Sequence, residues 1–124
     1  MRTLAFALLL LAAGCGTTQT YEGPKKSAQE VAIVETNVGE LTLDTTWVTA
    51  VDGKDLHLAY PKIEVLPGLR SLRVNIKRGF LTRGKTMSFE AIAGRTYRLI
   101  GEFRSGSAWI EDKSSGQVVA GEKP

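Results

Sequence analysis

Between residues 71 and 77 the chain alternates without a break: Leu72, Val74 and Ile76 are interleaved with Ser71, Arg73, Asn75 and Lys77. A period of two places the three aliphatic side chains on one side of an extended strand and the polar four on the other. Such a strand needs a second layer over its apolar side, and this limits the folds open to the chain. The same alternation recurs in Met87, Phe89 and Ala91, and again in Tyr97, Leu99 and Phe103. Residues 30–36 and 108–111 are short β-rich runs, 41–51 is rich in Thr, Val and Trp, and 117–120 can pair back on 108–111. Residues 56–60 and 63–66 are short apolar pieces, the first confined to an edge or a loop by Pro61.

Turn chemistry separates these pieces. Asp52-Gly53, Pro67-Gly68, Ala93-Gly94 and Ser105-Gly106 all mark reversals, and 79–85 reads as a basic loop. No stretch beyond residue 15 keeps a helical period. The expected fold is therefore all-β: a small antiparallel β-sandwich or partly open barrel of about seven strands, following an N-terminal signal segment. Connections this short imply mostly antiparallel pairing. The alternation also predicts that Leu72, Val74, Ile76, Phe89, Tyr97 and Leu99 are buried, while Arg73, Lys77 and Arg98 are exposed together on one face.

The N-terminal stretch has a different character. Met1-Arg2-Thr3 carries one positive charge, and residues 4–13 form an apolar run of about ten, within signal length and too short to span a bilayer. It ends in Ala12-Ala13-Gly14-Cys15, which resembles the lipobox of bacterial lipoproteins, although Ala12 stands where that family more often has Leu. The resemblance implies a signal peptide over 1–14, cleavage before Cys15, and acyl chains, palmitate among them, on Cys15. Two or more chains hold a protein firmly on a membrane where one does not. Residue 16 is Gly rather than the Asp that favours inner-membrane retention in enteric-type lipoproteins, so the resemblance points to an outer-membrane lipoprotein facing the periplasm. Residues 15–29 read as the lipidated cysteine and a flexible polar tether, in which Tyr21 is a candidate for docking onto the domain. Residues 30–124 form the single β domain.

Cys15 is the one cysteine, so the fold gains no disulfide and has no thiol left for catalysis. With His57 the one histidine, histidine clusters for metal are excluded. Net charge is +3 but unevenly spread. From Glu22 to Glu64 there are four Lys and eight Asp or Glu; from Arg70 to Arg104 there are nine Lys or Arg against Glu90 and Glu102. Folding such a chain is expected to produce a basic and an acidic face.

Two further resemblances appear. Val51-Asp52-Gly53 followed by residues 63–74, with Leu66-Pro67-Gly68 at the centre, is similar to PEGA-type β repeats; Arg70 replaces a frequent His, and a Gly-x-x-Pro element after Val-Asp-Gly is missing. Tyr21-Glu22-Gly23-Pro24, residues 30–33, 93–97 and 109–112 resemble segments of small proteobacterial lipoproteins for which no activity is established. These resemblances imply a β fold in the cell envelope and no particular reaction.

Candidate chemistry is sparse. Asp52 and Asp55 could ligate a cation, but a lysine lies between them and turn chemistry explains them as well. His57 with Asp44 or Asp55 could suggest a triad, yet no Gly-x-Ser-x-Gly elbow accompanies it. Trp47, Phe89, Tyr97, Phe103 and Trp109 suit a core better than a ligand groove. The leading candidate is cationic: Arg73, Lys77, Arg98 and Arg104, as a binding face for an envelope protein or an anionic lipid. No catalytic residue, metal or cofactor is expected, and nucleic acid is not expected as a partner in this compartment. The expected role is a lipid-anchored binding or structural module. The alternative is a small hydrolase, or hydrolase inhibitor, acting on cell-wall material.

Overall fold

The computed structural model describes residues 16–124. Among these it contains ten strands and no helix: β1 (Thr18–Gln19), β2 (Ala32–Glu35), β3 (Thr45–Val51), β4 (Lys54–Asp55), β5 (Lys62–Val65), β6 (Gly68–Arg78), β7 (Leu81–Ala91), β8 (Thr96–Glu102), β9 (Ser107–Asp112) and β10 (Val118–Gly121). Cys15 and residues 1–14, with the lipidation and signal expectations that fall on them, lie outside the described residues. Two sheets form a sandwich rather than a closed barrel. One has the order β1-β5-β2-β8-β9-β10, the other β4-β3-β6-β7.

Where consecutive strands pair, in β3–β4, β6–β7, β8–β9 and β9–β10, they run antiparallel, as their short connections require. The two parallel pairs, β1–β5 and β2–β8, join strands far apart in sequence, where no short turn dictates direction. The β3–β4 turn consists of Asp52 (φ 50°) and Gly53 (φ 81°) between the paired residues Val51 and Lys54. Positive φ at both central positions is what a two-residue hairpin needs to match strand twist.

Leu72, Val74 and Ile76 of β6 meet Phe89 of β7 and Val48 of β3 in one layer; Val34, Tyr97, Leu99 and Ile110 face them from the other. All six apolar residues expected inside are buried. Phe89 and Tyr97 stack edge to face across the sandwich, 5.0 Å between centroids, and the Tyr97 hydroxyl accepts a hydrogen bond from the Ile92 amide at 3.0 Å. Both of these rings are thus packed, and the tyrosine hydroxyl is satisfied. The layers pack closely at Gly101 of β8, where an added Cβ would overlap Thr46 Oγ1 and come within 2.9 Å of Ile76 Cγ1.

Three expectations about boundaries are corrected. β3 starts at Thr45, not near residue 41, because Asn37 closes the preceding loop. Its Oδ1 accepts the Thr46 amide at 2.8 Å, and its Nδ2 donates to the Asp44 carbonyl at 2.6 Å, taking positions a neighbouring strand would use. Residues 81–85 are strand, not loop: β7 pairs with β6 as far as Arg78 opposite Leu81, leaving Gly79 and Phe80 as the turn. These five residues are exposed on both sides, so no hydrophobic alternation marks them. Finally, the segment read as a flexible tether is docked. Thr18 and Gln19 pair with Ile63 and Glu64, and the buried Glu64 carboxylate accepts Thr17 Oγ1 at 2.7 Å, Tyr21 Oη at 3.1 Å and Lys25 Nζ at 2.6 Å.

The sandwich has two distinct ends. At one, residues 36–44, the 79–80 turn and residues 103–106 come together: Asp44 pairs with Arg78 through both carboxylate oxygens and accepts the Phe103 amide at 3.1 Å. At the other lie the turns at 52–53, 66–67, 92–95 and 113–117, tied by Arg95 to Asp112 at 2.7 Å and Arg70 to Asp52 at 2.8 Å. We call these the Phe80 end and the Gly94 end.

Candidate interaction surface

Ion pairs within the domain neutralise only some of the charges of the acidic and basic segments. Arg70 pairs with Asp52, Arg78 with Asp44, Arg95 with Asp112, and Lys62 and Lys113 both with Glu35. Arg73, Lys77, Arg98 and Arg104 are exposed and take no part in an ion pair among the described residues.

They do not form the single face expected of them. β6 and β8 belong to different sheets, so Arg73 and Lys77 project from the outer side of one layer and Arg98 from the outer side of the other. Arg98 lies in register between Glu35 and Glu111, in a row of alternating charge. The expectation failed because strand parity fixes which side of its own sheet a residue faces but not which sheet holds the strand. Arg73 and Lys77 share their face with Trp47, Asn75, Thr82 and Thr86. Arg104 is on the β8–β9 connection at the Phe80 end.

Additional cations gather at that end. The Arg83 guanidinium lies 4.9 Å from the centre of the Phe103 ring, and Lys85 Nζ donates to the Gly106 carbonyl at 3.5 Å. Both span from β7 to the connection bearing Arg104. With Lys77, Arg78 and Arg104 they make five cations at the end that also carries Asp44 and Glu102. Leu41 and Phe80 at the same end are fully exposed, Leu43 is 80% exposed and Leu81 62%. An open depression of about 820 Å³, lined by Leu43, Asp44, Arg78, Glu102, Arg104 and Trp109 among others, lies beside them. Sequence reasoning missed the apolar tip. Its signal was Gly79-Phe80-Leu81, a turn residue followed by two large apolar residues inside a basic run.

The other candidates have structural employment. Asp52 accepts the Ser71 amide at 2.9 Å as well as the Arg70 guanidinium, which ties the β3–β4 turn to β6. Asp55 is exposed. His57 is exposed, and Asp44 is spent on Arg78 and Phe103, so no triad is assembled. Among the described residues no three His, Cys, Asp or Glu side chains converge as metal ligands. Of the five aromatics, Phe89 and Tyr97 are core and Phe103 packs against it. Trp109 is buried outside the main cluster with Nε1 donating to Glu111 at 2.8 Å, and Trp47 is half-buried on the outer side of its sheet.

Five carboxylates have shifted acidity, and every shift is downward. Burial opposes ionisation of Glu64, but hydrogen bonds from Lys25, Thr17 and Tyr21 overcome it. Burial likewise opposes ionisation of Glu35, outweighed by Lys113 and Lys62. Arg78 holds Asp44 down, and Ser27 holds Glu30 down. Asp112 falls to about 2, chiefly through the Ser114 hydroxyl, then Arg95 and the Ser114 amide.

Fold and surface together define a small two-sheet β-sandwich with a cationic, apolar-tipped end. Comparison with known proteins finds no matching family model, no matching curated protein and no matching solved structure.

Proposed function

We propose that the chain is a lipid-anchored module of the cell envelope, held by acyl chains on Cys15 and facing the periplasm from the outer membrane, that acts by binding rather than by catalysis. The location rests on the lipobox-like run ending at Cys15. The observation that supports binding is a set of cations that are exposed and take no part in an ion pair among the described residues. Arg73, Lys77 and Arg104 remain free to meet an anionic partner, weakly and with salt sensitivity.

The test combines two readouts in one set of cells. Cells fed labelled palmitate should label the wild-type chain and not a Cys15→Ser variant. Crosslinking in the same cells should capture a partner that is lost when Arg73, Lys77 and Arg104 are changed to Glu. Label on the Cys15→Ser chain would refute the anchor, and an unchanged partner set would refute the cationic surface.

A further inference from the structure

Two open sheets have four edge strands, and three of the four are blunted here. β1 and β4 are two residues long, and β10 has four residues with a shift of register between Val118 and Ala120. Short or irregular edges offer little for another chain to pair with. The fourth edge, β7, runs for 11 residues, and its one sheet partner is β6. Residues 81–86 are all exposed.

The register shows which backbone groups this edge offers. Gly79 (φ 59°) and Phe80 form a two-residue turn closed by Arg78 opposite Leu81. Such a closing pair exchanges both hydrogen bonds, so Arg78, Ile76 and Val74 bond Leu81, Arg83 and Lys85. The other side of β6 agrees. Ser71 accepts the Asp52 amide at its carbonyl and donates its own amide to Asp52 Oδ1, both in the direction of β3. The N–H and C=O groups of Thr82, Gly84 and Thr86 therefore point away from β6. Among the described residues, no backbone hydrogen bond from a turn or loop reaches them. β10 comes near β7 from the other sheet without pairing with it.

A row of alternating donors and acceptors is matched by an extended polypeptide, whose own groups repeat at the same interval. The neighbouring side chains set its charge. Arg83 and Lys85 lie two apart on the side of β7 that faces the other sheet, one held over the Phe103 ring and the other on the Gly106 carbonyl. Neither takes part in an ion pair among the described residues, and no acid occurs between residues 70 and 86. A second copy of this chain is a poor occupant. Antiparallel pairing about Gly84 sets Arg83 against Lys85 twice across the seam, and pairing about either cation sets it against itself. An acidic strand is a good occupant, since carboxylates two residues apart come beside both cations at once. We propose that the β7 edge, at residues 82–86, takes up an extended acidic segment of another protein as a fifth strand of the four-stranded sheet. This rests on the binding reading above and gives the bound partner its conformation.

The probe is the peptide acetyl-Thr-Glu-Val-Glu-Thr-amide, added in millimolar excess to the isotopically labelled full chain purified in detergent. Amide hydrogen exchange is followed by NMR. With peptide, the Thr82, Gly84 and Thr86 amides should exchange at least about tenfold more slowly, while those of Arg83 and Lys85, already bonded to β6, change little. The analogue with Lys in place of Glu should give no protection, and should replace the acidic peptide as the ligand of an Arg83→Glu, Lys85→Glu chain. Thr86→Pro removes one edge donor and leaves the β6 ladder whole, so it should weaken the acidic peptide at least about tenfold with the circular dichroism spectrum unchanged. Protection without the alternation, or equal binding of an acidic peptide with N-methylated amides, overturns the proposal by reducing it to charge. Edge protection that needs no peptide and grows with protein concentration overturns it in favour of a second copy. Edge amides left unprotected overturn it as well; if the amides around Arg73, Lys77 and Arg104 respond instead, the cationic surface stands. Alternating protection in a chain whose crosslinked partners survive the change of those three residues to Glu keeps the edge and removes that surface.

Discussion

Asp112 shows how much one carboxylate can organise. It ends β9, caps the following turn through the Ser114 amide and hydroxyl at 2.9 and 2.6 Å, and receives the Arg95 guanidinium from the β7–β8 turn. These donors favour the ionised form and bring its pKa to about 2, against an ordinary 3.8. Because the folded value lies below the unfolded one, the stabilisation is complete above the ordinary carboxylate range and is lost as pH falls from there toward 2. Glu35, Asp44 and Glu64 are shifted the same way and add to it. The melting temperature, followed by circular dichroism, should therefore hold steady from pH 7 to about 5 and fall steeply between about 4.5 and 2. Asp112→Asn should lower it at neutral pH and flatten part of that fall. A melting temperature independent of pH across this range would contradict the assignment.

At the level of whole strands, the contact between β3 and β8 is close and leaves one buried polar atom unpaired. Thr46 is buried, and its Oγ1 has no hydrogen-bond partner. It faces Gly101, whose missing side chain makes room for it. Thr46→Val keeps the shape and removes the unpaired hydroxyl, so it should stabilise the domain by about 1 kcal/mol. Gly101→Ala should destabilise it by about 1–3 kcal/mol, since the new methyl meets Thr46 and Ile76. Chemical denaturation of the two variants beside wild type checks both signs; a destabilised Thr46→Val chain would refute the unpaired hydroxyl. The same strands show what was readable in advance. β6 was legible because one side is core and the other solvent, so its composition alternates. The far half of β7 carries no such imprint, since both its sides are wet. β1 was hidden for another reason: its pairing depends on Glu64, a distant acid whose burial no local pattern reveals. The cationic residues were correctly expected at the surface, but their grouping depended on sheet membership, and local alternation is silent on that.

Taken whole, the chain passes repeatedly between its two layers. β2 belongs to one sheet, β3 and β4 to the other, β5 returns to the first, β6 and β7 to the second, and β8 to β10 complete the first. Neither sheet is therefore a continuous stretch of chain, and β2 pairs with β8 across some sixty intervening residues. Each layer also buries its apolar side solely against the other, through pairs such as Phe89 and Tyr97. A sheet left alone would expose that side, so partial unfolding of one layer has no stable product. The long-range pairings must close large loops before they contribute, which places folding in the millisecond-to-second range of non-local β proteins. The two tryptophans are placed to test the coupling, Trp47 on β3 in the four-stranded sheet and Trp109 on β9 in the six-stranded one. Trp47→Phe leaves a reporter for one sheet and Trp109→Phe a reporter for the other. Each variant is unfolded in urea and followed both by its remaining tryptophan and by circular dichroism. The two probes should give superimposable transitions within each variant, with a slope of about 1–3 kcal/mol per molar urea. A tryptophan transition that separates from the backbone signal in either variant would mean that one layer survives without the other, which the interleaved topology forbids.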